Sequence, residues 1–349
     1  MKEYEIEKEA CRVLCDCLTA VEAIVRVRRQ PTSRHTRADC VLEIETAERK
    51  TMSLVVEVKS GGQPRTARDA INQLYRYRDA CPDAYLVFMA PYIAPAAAEI
   101  CRAEGVGYAD LAGNCHLSFG TIYIHTEGKP NPFPDRRRLR SLYSRKASRV
   151  LRVLLCTFPR AWTLSALAGE ADVSIGHAHK VKAALAEREW ISSTPDGLTL
   201  RQPQALLAEW AENYQYERQE RRELYSALSV KDIEAQLSAF CRRQDMTWAL
   251  TGFSAAERLA PFTRYQRVHA YVDADVQALV DALSFKDVSG GANVSLLKPY
   301  DRGVFYESVE AGGAPVVSPV QLYIDLRGIG GRGDDAAEFL LQEVIAPRW

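Results

Sequence analysis

Apolar and polar positions change period several times along this chain, and each change marks an element. Glu3–Ala20 repeats at helical spacing, and Ile24–Arg29 alternates as a strand does. Asp39–Ile44 and Met52–Val58 are apolar runs joined by a polar gap at Thr46–Lys50, which predicts a hairpin. After the break at Gly61-Gly62-Gln63-Pro64, Thr66–Tyr77 reads as a helix, Ala84–Ala90 as an apolar strand and Ala94–Glu104 as an alanine-rich helix. Val106–Leu111, Cys115–Phe119 and Thr121–His125 read as short strands. This order predicts a mixed α/β sheet covered by helices on both sides.

A proline-rich stretch, Gly128–Pro134, interrupts the pattern. Beyond it, Ala147–Cys156, Leu164–Glu170 and Ile175–Glu189 have helical spacing, with Ser174 placed to cap the third. Trp190–Leu200, turning at Thr194-Pro195-Asp196-Gly197, reads as a two-stranded hairpin, so this region has the pattern of a winged helix. A long helix is expected over Gln204–Arg222. The remainder mixes helices (Ile233–Arg243, Ala255–Ala260, Asp275–Leu283, Asp334–Ile345) with strands (Thr247–Thr251, Arg267–Val272, Asn293–Leu297, Val304–Glu307). The expected division is an α/β domain at 1–127, a basic linker at 128–146, a winged helix-turn-helix at 147–202, a connecting helix at 203–223 and an α+β domain at 224–349.

With 349 residues, 47% hydrophobic and 26% charged, the chain has the makeup of a soluble multidomain protein. Its net charge of +0 argues for no partner class, but the distribution does. Between Asp135 and Arg152 stand Arg136, Arg137, Arg138, Arg140, Arg145, Lys146, Arg149 and Arg152 against Asp135 alone, a local +7. Nine scattered cysteines without a Cys-x-x-Cys pair read as buried thiols in a reducing compartment. A charged, helical start and the lack of any membrane-length apolar run predict a cytoplasmic protein with no membrane partner.

The densest chemistry lies in the first hairpin. Glu57 and Lys59 are two apart and share a strand face, and Asp39 stands on the preceding strand. Two carboxylates and a lysine on one face can hold a hard divalent cation and stabilise a developing phosphate charge. Gln73 and Tyr77, four apart on the next helix, share a helical face. Asp39…Glu57-x-Lys59 followed by Gln73-x-x-x-Tyr77 resembles the PD-(D/E)XK nuclease-like superfamily and its RecB-like branch, over about residues 1–127; Ala38 stands where a proline is usual. The resemblance implies a restriction-endonuclease-like fold in which Asp39 and Glu57 bind Mg²⁺ and Lys59 positions the attacking water. Glu9 or Glu7 would complete the acidic cluster, and Gln73 and Tyr77 would touch the nucleic-acid backbone.

The third helix of the winged-helix pattern carries Ser174, His177, His179, Lys180 and Lys182 near its start, where a recognition helix meets double-stranded DNA. Arg136, Arg137, Arg138, Arg145 and Lys146 would supply phosphate contacts. Asp110-Leu-Ala-Gly-Asn-Cys115, Leu206–Tyr214, Leu250–Ala256, Val317–Leu326 and Gly331-Arg-Gly333 together resemble the AbiEi family of type IV toxin–antitoxin antitoxins. That resemblance implies an autorepressor of a toxin–antitoxin operon whose toxin is nucleotidyltransferase-like, and a palindromic site would suggest a homodimer. Asp110 is placed either near the acidic cluster or as the cap of its own turn. Thr251-Gly252-Phe253-Ser254 with Asp273-Ala-Asp275 faintly resembles a degenerate nucleotidyltransferase site. Two functions therefore compete: a DNA-binding regulator without a cofactor, and a Mg²⁺-dependent endonuclease directed by its winged helix.

Overall fold

A helix, α1 (Glu3–Thr19), opens the chain and lays Ile6, Ala10, Leu14 and Leu18 along one buried side. The structure, a computed structural model, describes residues 3–30, 38–78, 81–133, 142–216, 219–262 and 264–349. They fall in two compact units, Met1–Asp135 with Ala186–Glu189, and Arg136–Leu185 with Trp190–Trp349.

In the first unit α1 leads into β1 (Ile24–Gln30), β2 (Cys40–Thr46) and β3 (Thr51–Val58), an antiparallel run. Then come α2 (Pro64–Arg78), β4 (Tyr85–Ala90), α3 (Pro95–Ala103) and β5 (Gly107–Asp110), with β3, β4 and β5 parallel. β6 (Cys115–Phe119) and β7 (Ile122–Thr126) complete a seven-stranded sheet in sequential order. The alternation of β3 sorts its side chains between two cores. Leu54, Val56 and Val58 pack on the α1 side, whereas Val55 packs with Ala70, Ile71 and Leu74 of α2. By the same parity Glu57 faces α2. Gly62 bridges to Ile93, so close that a Cβ there would stand 2.2 Å from the Tyr92 carbonyl oxygen. The mixed sheet with helices on both faces agrees with the sequence expectation.

The second unit starts with α4 (Arg145–Cys156), α5 (Leu164–Glu170) and α6 (Ile175–Glu187), followed by the hairpin β8 (Ile191–Thr194) and β9 (Gly197–Leu200). Trp162 and Leu198 exchange backbone hydrogen bonds of 2.8 and 2.7 Å, which adds a bridging residue to the hairpin. After α7 (Pro203–Asn213) and β10 (Arg221–Tyr225) the chain forms α8 (Val230–Arg243), β11 (Trp248–Thr251), α9 (Gly252–Leu259) and β12 (Val268–Val272). α10 (Gln277–Ala282), β13 (Lys286–Asp287), β14 (Val294–Leu297), β15 (Val309–Ala311), β16 (Ala314–Val316), α11 (Pro319–Ile329) and α12 (Arg332–Leu340) follow. The strands make a second mixed sheet, in the order β13-β10-β14-β12-β11-β16-β15.

Several elements differ from the sequence expectation, among them the short strands β13, β15 and β16, which it did not contain. The helix expected over Gln204–Arg222 ends at Asn213, where Tyr214 turns extended and sends its hydroxyl inward, and Arg221–Tyr225 becomes an internal strand. The strand expected at Val304–Glu307 is a 3₁₀ turn, Arg302–Phe305, capped by Asp301. α11 has no amphipathic period to read because Val320–Leu326 is buried all round; Ser318 caps it and Pro319 starts it. Among the described residues no helix is long and apolar enough to cross a membrane.

Candidate functional site

Strand register builds the first site. Cys40 pairs with Val56, so the ladder extended by one residue sets Asp39 beside Glu57 at the open end of the β2–β3 hairpin. Asp39 is fixed there by the Val58 amide, which donates to its Oδ2 at 2.8 Å. Lys59 Nζ donates to Glu57 Oε1 at 2.5 Å and to Gln73 Oε1 at 3.0 Å. Gln73 Nε2 in turn donates to the Tyr77 hydroxyl at 2.6 Å. The structure thus brings Glu57, Lys59, Gln73 and Tyr77 into one chain of hydrogen bonds, with Asp39 alongside.

Glu57 is 1% exposed. Burial raises its pKa, and the Asp39 charge raises it further, against the opposing pull of Lys59 and Tyr77. Burial also works against the Lys59 charge, but the Glu57 carboxylate and the Asp39 charge outweigh it and raise the Lys59 pKa. Glu57 Oε2 is buried and has no hydrogen-bond partner of normal geometry, although Tyr77 lies near enough to favour the carboxylate. A buried carboxylate beside a second carboxylate is the hard-oxygen donor set that suits Mg²⁺. Glu9 does not join it. Its carboxylate is taken by Arg12, at 2.5 Å on the exposed side of α1, and among the described residues no three His, Cys, Asp or Glu side chains converge as a metal site. Arg12 stands one turn on from Glu9, a spacing that already offers the pair.

Asp110 caps its own turn. Its Oδ1 accepts from the Asn114 amide at 2.8 Å, and its Oδ2 accepts from Asn114 Nδ2 at 2.9 Å and from Ile93 N at 3.2 Å. Gly113, at φ 93°, supplies the bend that brings Asn114 round.

The second constellation lies on α6. Ser174 caps the helix by accepting from the His177 amide at 3.3 Å. Ser174, His179 and Lys180 are exposed and Lys182 is half-buried, while Ala178, Val181 and Leu185 face inward. His177 is half-buried with Nε2 unpartnered; burial lowers its pKa, and the nearby charges of Lys180 and Lys146 lower it further. Lys146, at the start of α4, therefore lies within electrostatic reach of the start of α6, and both Arg145 and Lys146 are exposed. Arg136, Arg137 and Arg138 lie outside the described residues. Sequence reading passed over Ile175, an apolar side chain 55% exposed beside the Ser174 cap.

Two arginines of the basic run turn inward instead. Arg149 grips Asp301 at 2.9 Å and Asp172 at 2.5 Å. Arg152 is fully buried; its Nε donates to Gln321 Oε1 at 3.0 Å, its Nη2 also bonds the Tyr300 hydroxyl, and it lies 4.9 Å over the Trp210 ring. Gln321 Nε2 donates to Asp325 Oδ1 at 2.9 Å, and that carboxylate also accepts from Tyr214 (2.9 Å), Tyr271 (3.0 Å) and Thr251 (2.6 Å). Burial pushes the Asp325 pKa up to about 6 despite these four donors. This buried polar layer joins α4 to α11 and the second sheet, and Trp210, Tyr214, Thr251, Gln321 and Asp325 come from the stretches Leu206–Tyr214, Leu250–Ala256 and Val317–Leu326.

Asp273 and Asp275 lie just beyond β12 and serve local contacts. Asp273 pairs with Arg302 at 2.9 Å, and Asp275 accepts from the Gln277 amide at 3.0 Å. Within β12 the corresponding alternating positions are His269 and Tyr271.

Residues 199–346 match the family described as transcriptional regulator, AbiEi antitoxin, type IV TA system. No curated protein matches the chain. Among solved structures, similarity is found to a repair endonuclease from Pyrococcus abyssi, at 12% identity over 32% of this chain and 48% of that one, with a TM-score of 0.24. A second, an EndoMS–dsDNA complex, is 15% identical over 30% of this chain and 44% of that one, with a TM-score of 0.22. This chain spans less than half the length of either, and likeness at that level carries no argument about fold or activity.

Proposed function

We propose, from the match of residues 199–346 to the family of AbiEi antitoxin transcriptional regulators, that the protein binds double-stranded DNA through α6 as a type IV antitoxin. The observation that carries this reading is the start of α6, where Ser174, His179 and Lys180 are exposed and the charges of Lys180 and exposed Lys146 both reach His177. α4, α5, α6 and the β8–β9 hairpin, with its Trp162 bridge, have the order of a winged helix. In that role the start of α6 enters the major groove, where Ser174, His177 and His179 reach base edges, Lys180 and Lys182 pair with the flanking phosphates, and Ile175 offers an apolar contact for a thymine methyl. Arg145 and Lys146, with Arg136, Arg137 and Arg138 of the linker, bind phosphates. The operon so controlled is its own, with a nucleotidyltransferase-like toxin as its other product, and a palindromic operator would be bound by a homodimer. Footprinting on its own promoter tests this; protection there supports the reading, and uniform weak binding to unrelated duplexes sinks it.

A second reading rests on the buried Glu57 carboxylate beside Asp39. Asp39 and Glu57 would hold Mg²⁺, which would polarise a phosphate and an attacking water. Lys59 would offset charge on the phosphate, and Gln73 and Tyr77 would hold Lys59 in place. Cleavage of plasmid or single-stranded DNA with Mg²⁺ or Mn²⁺, lost in Glu57→Ala/Lys59→Ala, would establish the nuclease; intact DNA in both proteins would reject it.

A further inference from the structure

Two sequence features unused by DNA binding, the Thr251–Ser254 turn and the glycine-rich Arg327–Gly333 segment, meet at one pocket of the second unit. The pocket is open and holds about 650 Å³, within the roughly 300–1,000 Å³ of small-molecule sites. Phe253, at the start of α9, and Arg332, at the start of α12, both line it. Arg264, Tyr265, Gln266 and Arg267 form another side, and its lining contains no carboxylate. Arg267 is held in position by its Nε, which donates to the Ala292 carbonyl at 2.9 Å, and by its Nη1, which pairs with Glu223 at 3.5 Å and leaves Nη2 for a ligand. Arg332 Nη2 reaches the Arg264 carbonyl at 3.3 Å, which draws the two segments together.

Arg267 also lines a second, smaller pocket of about 160 Å³ together with His269. His269 is only 8% exposed, and its Nδ1 has no partner. That smaller pocket also contains Arg221 and Glu223, the acid paired with Arg267, so a neutral imidazole there adds hydrogen-bonding capacity beside a balanced charge pair.

We propose that this pocket binds a nucleoside phosphate. Arg264, Arg267 and Arg332 present forked donors that suit phosphate oxygens. The Phe253 and Tyr265 rings give the base an aromatic surface, and the Gln266 amide offers both a donor and an acceptor to its edge. A ligand with several negative charges matches three arginines and no lining acid. The site is distinct from the DNA-reading face on α6, so the inference stands or falls independently of the proposed function.

Calorimetric titration of the full chain with ATP, with inorganic tripolyphosphate and with an unrelated DNA duplex separates the possibilities. ATP should bind saturably at one site per chain. Arg264→Ala/Arg332→Ala, at two exposed side chains, should keep the melting temperature and weaken both ATP and tripolyphosphate at least about tenfold. Phe253→Ala should weaken ATP about fivefold or more and leave tripolyphosphate unchanged. Absence of saturable ATP binding in the wild type, or equal ATP affinity in the double variant, would overturn the proposal. So would a double variant that loses duplex affinity and keeps ATP affinity, because the pocket would then serve the DNA backbone. Equal losses of ATP and tripolyphosphate in Phe253→Ala would overturn the nucleoside assignment.

Discussion

Arg152→Met tests whether α4 and the second sheet fold as one unit. The guanidinium is fully buried and donates to Gln321, Ser148 and Tyr300, and it lies over Trp210. Methionine keeps much of the side-chain bulk but leaves Gln321 Oε1 and the Tyr300 hydroxyl without this donor. Each unsatisfied buried polar group costs roughly 1–3 kcal/mol. Loss of the stacked cation removes about 1–2 kcal/mol more. These effects overlap, and removing a buried charge recovers part of its desolvation cost, so the expected loss is about 2–4 kcal/mol. That is a large share of the roughly 5–15 kcal/mol that holds a domain folded. All five tryptophans, Trp162, Trp190, Trp210, Trp248 and Trp349, lie in the second unit, so tryptophan fluorescence during urea unfolding reports on that unit alone. The midpoint should fall by on the order of 1–2 M urea, and Arg145→Ala, at an exposed side chain of the same helix, should leave it in place. A loss below about 1 kcal/mol, or separate wild-type transitions for Trp162 and Trp248, would refute the single-unit reasoning.

Asp325 titrates at about 6 in the folded protein against an ordinary value of 3.8, so the native state binds the proton more tightly. Its contribution is therefore full below about pH 4 and lost as pH rises through 6, a difference on the order of 3 kcal/mol. Asp325→Asn should remove that fall; parallel stability–pH curves for the two proteins would contradict it. At Gly62, alanine would drive a methyl into the Tyr92 carbonyl, and backbone cannot yield as a side chain can, so Gly62→Ala should cost about 1–3 kcal/mol or more. Faster hydrogen exchange over residues 85–95 would register the loss, and unchanged protection would count against it. If Asp39 and Glu57 hold a cation, Mn²⁺ should raise the melting temperature of the wild type and not of Asp39→Asn/Glu57→Gln. That gain should grow as pH rises, because the raised Glu57 pKa makes cation and proton compete. An equal gain in both proteins would assign the effect elsewhere.

The first sheet was legible because β2, β3 and β4 are apolar runs broken by clear turn residues, and parity along β3 alone places Glu57 and Lys59 opposite Val56. Helical spacing likewise placed Gln73 and Tyr77 together. What the sequence hid were partners chosen by tertiary contact. Arg149 and Arg152 are captured by Asp301 and Gln321, more than 150 residues along the chain. A run of basic residues shows charge but not direction, so nothing in it marks the two arginines that hold the second unit together. α11 escaped for the opposite reason: a helix buried on every side shows no period.

The central claim, that α6 reads DNA, is tested most directly by the salt dependence of binding to the protein's own promoter. Fluorescence anisotropy with that duplex, for the wild type and for Lys180→Ala/Lys182→Ala, gives the slope of log K against log salt. Two lost phosphate contacts should make the slope shallower by roughly 2 and weaken binding most at low salt. Identical affinity and slope in both proteins would contradict the claim and place the DNA contact, if there is one, away from α6.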